Sequence, residues 1–299
     1  MLVTRLIVGT LLIAVLVGLG WLDERAATAG MWLAPALVVF VLLATQELLA
    51  LFAAKGLRPI AAVVYLGNLL AVLSPWLSRA DMARTSEVSR TSGVCGGWVL
   101  GALSVAFVVA VVAEMARYEK PGQAMMDLAA AVFAIVYLGL FLSFLARLRL
   151  AWGIGALASL LIVVKMGDTG AYFFGKTLGR HRLAPRLSPS KTIEGAIGAL
   201  VFSAGASWAV FRWLVPITTP PMARYPGTFP SVWGAIVFGV LVGGAGVLGD
   251  LAESLLKRDA ARKDSSTWFP GMGGVLDMLD SVILAAPVAY ACWFLGLTG

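Results

Sequence analysis

The chain has 299 residues, 60% hydrophobic and 13% charged, with a formal charge of +7 and a mean hydropathy of +0.90. A soluble domain carries about 25% charged residues, so this composition excludes an ordinary water-soluble globule. It also contains no basic domain that would hold a nucleic acid; the positive excess suits loops that face anionic lipid or an anionic substrate.

Apolar runs of roughly 20 residues can cross a bilayer, and only helices satisfy their own backbone there. Nine such runs occur, at 3–22, 30–52, 59–77, 93–115, 124–146, 151–172, 194–216, 229–249 and 280–298. The expected fold is all-α: a polytopic integral membrane protein with the N-terminus in the cytoplasm. We read one domain over 1–299, with N-terminal helices in 1–150 and the helices and loops of the site in 151–299. Lys and Arg favour this orientation by about two to one across the loops. It places the loops after the sixth and eighth spans on the same, cytoplasmic, side. The first run, with Arg5 before it and "ATA" at 27–29 after it, also fits a cleaved signal peptide, which would leave eight spans.

Cys95 and Cys292 both sit in apolar runs and read as small buried hydrophobes. His181 is the only histidine, so chemistry built on a histidine base has little support. The charges concentrate in two windows, eight in 165–194 and ten in 246–280. Positive loops explain the lysines and arginines, but not carboxylates at the ends of spans. An ionisable group inside a membrane segment costs from about 2.5 kcal/mol upward and marks a candidate site.

In the first window, Lys165 and Asp168 are three apart and share a helix face. "GAYFFGKT" at 170–177 has the spacing of a phosphate-binding P-loop, but neither a strand before it nor a glycine-rich interior. The better reading is a basic loop, with Lys176, Arg180, Arg182, Arg186 and Lys191, above an acid. Ser190 or Thr192 would cap the seventh helix. In the second window, Asp250, Glu253, Ser254 and Lys257 follow i, i+3, i+4, i+7 spacing and line one helix face. Asp277 and Asp280 do the same at the start of the last span. Carboxylates so spaced repel mildly, and a shared hard cation reverses the sign. Mg²⁺ takes one or two carboxylates together with substrate phosphates. Carboxylates for metal beside many cations for anions suit phosphoryl or nucleotidyl transfer, where positioning and charge neutralisation supply the catalysis. A phosphomonoester with a second pKa near about 6 is already largely dianionic at neutral pH and needs no histidine base.

The second window resembles the signature of the phosphatidate cytidylyltransferase (CDP-diacylglycerol synthase) family. The resemblance lies in "GD" at 249–250, "ES" at 253–254, "KR" at 257–258, "KD" at 263–264, "PG" at 270–271, "GG" at 273–274, Asp277 and Asp280. The first window is similar to the family's other block, through "DTGAYFFG" at 168–175, "LAP" at 183–185, "SP" at 188–189 and "KTIEG" at 191–195. "ELLALFAAKGLRP" at 47–59 is weakly similar to a segment near the second helix.

The resemblance implies that CTP and phosphatidate give CDP-diacylglycerol and pyrophosphate, with Mg²⁺, at the cytoplasmic face of a bacterial-type inner membrane. It implies Asp250, Asp277 and Asp280 as metal acids. Lys257, Arg258 and Lys263 become phosphate clamps with Asp264 beside them, and Asp168, Lys191 and Glu194 support them. Glu253, Ser254, Lys176, Ser188, Thr192, Gly273 and Gly274 would line the substrates. CTP, phosphatidate and membrane lipid are the expected partners, with no nucleic acid; a homodimer is compatible with the sequence. Transfer to another lipid phosphate, a catalytically degenerate homologue and a membrane transporter are the alternatives. Met272 and Met278 stand where the family has His and Arg, and methionine neither donates a hydrogen bond nor carries charge.

Overall fold

The computed structural model describes residues 2–82, 94–119, 121–218, 231–266, 268 and 273–297. Pro270, Gly271 and Met272 lie outside the described residues, as do Arg84, Arg90, Lys120 and Arg224, four of the cations counted between the spans.

The described residues are almost wholly helical. We label the helices α1 (Leu2–Arg25), α2 (Leu33–Ala54), α3 (Ala61–Met82), α4 (Val94–Arg117), α5 (Ala124–Trp152), α6 (Ile154–Thr177), α7 (Ile193–Thr218), α8 (Val232–Asp259) and α9 (Val275–Phe294). Seven of these segments, α2 and α4 to α9, are long and apolar enough to cross a membrane, and Ala61–Leu77 is a shorter apolar stretch. The chain is an integral membrane protein. Single π-helical segments interrupt α5 at Ile135–Leu140 and α7 at Val210–Leu214.

The helices exceed the apolar runs that predict them. α6 continues to Thr177, α8 to Asp259, and α9 starts at Val275 rather than 280. A helix does not stop where its residues become charged; it stops where caps and turns end it. Asp168, Asp250, Glu253, Lys257, Asp277 and Asp280 therefore stand on helices. Gly170–Thr177 is helical as well, which excludes a P-loop there. The expected basic loop is instead a short antiparallel hairpin, β1 (Arg182–Ala184) and β2 (Ser188–Thr192).

The chain forms two compact units, Met1–Leu150 with Asp259–Leu276, and Ala151–Arg258 with Asp277–Gly299. Asp259–Leu276, read in sequence with the C-terminal helices, thus groups with the N-terminal ones.

In the first unit, buried polar groups tie the connections. Asp23 accepts from the amides of Gly30 and Trp32, each at 3.0 Å, and pairs with the Arg149 guanidinium at 2.7 Å. Asp127 accepts from the Arg58 amide at 2.7 Å and pairs with Arg117 at 2.9 Å. Inside the helices, Asn68 donates to the Thr45 hydroxyl at 2.8 Å.

In the second unit, small residues bring the backbones together, as expected of helices in lipid. A Cβ at Gly170 would collide with the Gly198 carbonyl and Phe202, and one at Gly198 with Phe174. These contacts seat α7 on α6. Gly239 meets Ser203 and Ala204 in the same way, which seats α8 on α7. Thr192 begins α7 as one of the two caps expected, its hydroxyl accepting from the Gly195 amide at 3.1 Å.

Candidate active site

The second unit gathers carboxylates and lysines from three helices and the hairpin. β2 ends just before α7, and its Lys191 reaches Asp250 on α8 at 2.7 Å. On α6, Lys165 pairs with Asp168 at 3.0 Å and approaches the Met278 carbonyl of α9 at 3.5 Å. The Ser281 hydroxyl lies 3.3 Å from Asp168 and 3.0 Å from Asp280, whose carboxylate also accepts from the Ser281 amide at 2.5 Å. Asp280 is close enough to Asp250, Asp168 and Lys165 for all three charges to act on it. Residues from both charged windows of the sequence thus meet in one cluster.

Gly249 makes this convergence possible. A Cβ there would run into the Asp280 carbonyl oxygen and stand 3.2 Å from the Ser281 Cα, so α8 and α9 touch backbone to backbone beside Asp250 and Asp280. Gly249→Ala should lower turnover by about 10- to 100-fold, because small displacements of reacting groups are that costly. Comparing its rate with that of Gly244→Ala checks this, since a Cβ at Gly244 would meet only a Leu200 methyl at 3.7 Å. Equal rates would show that the close approach does not matter.

A second group lies next to the first. Glu253 is fully buried, and Lys257, one turn on, sits 2.5 Å from both Glu253 and Asp277. Glu253 makes this contact as an ion pair, without the alignment of a hydrogen bond. Glu253, expected to line a substrate, has Lys257 as its charged partner. Lys257 is held between two acids rather than presented as an open phosphate clamp.

The residues read as a metal set separate accordingly. Asp277 pairs with Lys257, whereas Asp250 and Asp168 lie within electrostatic reach of Asp280. Among the described residues, no three His, Cys, Asp or Glu side chains meet as a ready-made metal cage. Two carboxylates and the phosphates of a substrate suffice for Mg²⁺. Three acids, Asp168, Asp250 and Asp280, share this cluster with two cations, Lys165 and Lys191, and its all-oxygen donors suit a hard ion.

Other sequence candidates have structural partners. Glu194 accepts from the Arg180 and His181 amides at 3.1 and 3.2 Å and from the His181 ring at 2.6 Å; it closes the turn into the hairpin. The Arg258 guanidinium donates to the Leu187 carbonyl at 3.2 Å and so holds the hairpin's tip. Thr192 spends its hydroxyl on the helix cap, Ser188 lies on β2, and Ser254 is buried near Glu253 on α8. Lys176 lies two turns beyond Asp168 against the Tyr172 ring and hydroxyl, the latter at 3.3 Å.

Lys263, Asp264, Gly273 and Gly274 belong to the first unit. Gly273 takes a positive φ of 82°, which favours glycine. A Cβ at Gly274 would strike the Glu47 carboxylate and the Ser265 hydroxyl. Glu47 is the residue sequence reasoning missed. An acid near the middle of an otherwise apolar run was the available signal.

Relatives share much of this chain. A Staphylococcus saprophyticus protein named phosphatidate cytidylyltransferase is 34% identical over 163 residues, 54% of this chain and 58% of that protein. One from Staphylococcus aureus, of the same name, is 36% identical over 163 residues. A third, from Staphylococcus epidermidis, is 30% identical over 198 residues, 64% of this chain and 70% of that protein. The match thus spans little more than half the length of the first two. The model of the cytidylyltransferase family matches residues 3–295, and the chain belongs to that family.

Proposed function

We propose that this protein transfers a cytidylyl group from CTP to phosphatidate, giving CDP-diacylglycerol and pyrophosphate, at the cytoplasmic face of the membrane. The observation that carries the reading is the meeting of Lys191, Asp250, Asp280 and Asp168 at the ends of packed apolar helices, where an aqueous nucleotide and a lipid headgroup can both arrive. The names of the relatives support the choice of substrates.

In this reaction a phosphate oxygen of phosphatidate attacks the α-phosphorus of CTP. A new P–O–P bond forms, and the bond to the β-phosphate oxygen breaks. The electron pair leaves with pyrophosphate. The nucleophile is already dianionic near neutral pH, so the protein need not supply a base. Its work is to hold two anions in line and to offset their repulsion.

Lys165 and Lys191 carry the cationic side of the cluster, and we assign them to the phosphates. Asp250 and Asp280, with Asp168 behind them, are the residues that would hold Mg²⁺, which would supply neutralising charge on the triphosphate. Lys257, fixed by Glu253 and Asp277, sets the field and the register between α8 and α9. Arg258 and Glu194 hold the hairpin that delivers Lys191.

The test is to incubate the purified protein with phosphatidate, Mg²⁺ and each of the four nucleoside triphosphates in turn, then identify the lipid product and measure pyrophosphate. CDP-diacylglycerol formed with CTP alone is the expected result. Pyrophosphate release with another lipid phosphate but not with phosphatidate would reassign the acceptor. Absence of release with any nucleotide would remove the enzymatic reading.

A further inference from the structure

Ser281 stands on α9 one residue after Asp280, and it is only 2% exposed. Two glycines of α8 wall it in. A Cβ at Gly246 would come within 3.7 Å of the Ser281 Cβ, and one at Gly249 within 3.2 Å of its Cα. A hydroxyl buried in this way needs partners, and here both partners are acids. The hydroxyl lies 3.0 Å from Oδ1 of Asp280 and 3.3 Å from Oδ1 of Asp168. The Ser281 amide donates to the same Asp280 oxygen.

The two acids are engaged differently. Asp168 meets Ser281 through Oδ1 and accepts from Lys165 through Oδ2, at 3.0 Å. Both of its oxygens thus face protein donors, which suits an anchor better than a metal ligand. In Asp280 both Ser281 donors fall on Oδ1, so Oδ2 is the oxygen left for a cation. The contacts run from Lys165 through Asp168 and Ser281 to Asp280, and Ser281 is the joint between α6 and α9.

A serine hydroxyl carries one proton and two lone pairs. It donates to one of the two carboxylates at a time, and it separates two like charges that would otherwise repel directly. An alanine methyl would keep the packing and do neither.

We propose that Ser281 is a positioning residue: its hydroxyl ties Asp280 to Asp168 and so holds Asp280 ready, with Asp250, for a divalent cation. This rests on the nucleotidyl-transfer reading. Carboxylates that ligate a metal are themselves held by hydrogen bonds, and losing such a partner costs about 10- to 100-fold in affinity. Ser281→Ala isolates the hydroxyl, because the backbone amide that also serves Asp280 remains.

The full-length protein in phosphatidylcholine nanodiscs is titrated with Mn²⁺, with free Mn²⁺ followed by electron paramagnetic resonance. The same preparations are assayed with CTP and phosphatidate over a range of Mg²⁺. In S281A the Kd for Mn²⁺ should rise about tenfold or more. The Mg²⁺ needed for half-maximal turnover should rise by a similar factor. At saturating Mg²⁺, kcat should change less than about threefold, the pattern of weakened binding rather than of a lost transition-state contact. A residue that only packed α9 would lower the unfolding temperature and leave the Mn²⁺ affinity of the folded molecules unchanged.

Wild-type Mn²⁺ affinity in S281A, or no Mn²⁺ bound by the unaltered protein, would overturn the proposal. Should S281A not fold, Ser281→Cys decides, because a thiol keeps the side chain but is a weak donor. Weakened Mn²⁺ binding in S281C supports the proposal, and wild-type binding overturns it. Suppose instead that Mn²⁺ binds and S281A weakens it, yet no nucleotide yields pyrophosphate. The nucleotidyl-transfer reading then fails, while the place of Ser281 in a cation site stands. Normal turnover with unchanged Mn²⁺ affinity in S281A gives the converse.

Discussion

Asp250→Asn should lower kcat/KM for CTP by about 100-fold or more, the usual size of losing one preorganised electrostatic contact to a transition state. The residue is chosen on geometry. Its carboxylate is half-exposed, pairs with Lys191 at 2.7 Å, and lies within range of Asp280. It is thus the acid that both joins the metal-binding pair and holds the hairpin lysine. Asn keeps the shape and one acceptor but removes the charge that would bind Mg²⁺ and orient Lys191. The Lys191 nitrogen is buried and the Asp250 side chain only partly exposed, so the loss of the charge should cost about 1 to 3 kcal/mol, a drop in unfolding temperature rather than a loss of the fold. Steady-state kinetics over a range of Mg²⁺, with thermal unfolding measured beside them, checks both halves. Normal turnover with ordinary Mg²⁺ dependence would remove Asp250 from the metal pair. Loss of fold with loss of activity would make the residue structural.

Much of this site was legible in the sequence because charge is rare in lipid. Each carboxylate placed at the end of a span announced itself, and helical spacing put Asp250, Glu253 and Lys257 on one face. Parity of the spans put the two windows on one side, and Lys191 on Asp250 agrees with that. Spacing alone does not say which acid pairs with which cation. Asp277 and Asp280, three apart, looked equivalent, yet α8 offers Lys257 to one and Asp250 to the other. That difference follows from where Gly249 lets α8 cross α9, a packing property with no signal in charge or periodicity. The helix ends were equally hidden. Hydropathy falls at the membrane surface, whereas α6 and α8 run on through their charged turns. The carboxylate that accepts from the first amides of α9, at Val275 and Leu276, was beyond reach for a related reason. A cap is normally sought within four residues of a helix start, and this one, Glu47, comes from the opposite end of the chain.

Lys257→Met should cost more stability than Glu253→Gln or Asp277→Asn, although each removes one charge from the same trio. Lys257 is the shared partner, 2.5 Å from both acids, and its side chain is only 13% exposed, against 0% for Glu253 and 11% for Asp277. Removing it takes the shared cation from two buried carboxylates. Breaking a buried pair from one side costs about 3 to 5 kcal/mol, and here two acids lose their counter-ion at once. Removing either acid leaves Lys257 the other, so the penalty should be roughly 1 to 3 kcal/mol, that of a lost charge-assisted hydrogen bond. The double variant Glu253→Gln with Lys257→Met should then recover part of the loss, because the more deeply buried acid no longer carries charge and only one carboxylate has lost this cation. Such non-additivity is what separates a coupled network from independent contacts. Thermal or denaturant unfolding of the four variants in one detergent measures it. Single substitutions of equal cost, with a double variant that is their simple sum, would mean that Lys257 does not bridge the two acids. Its place would then revert to that of an open cation available to phosphate.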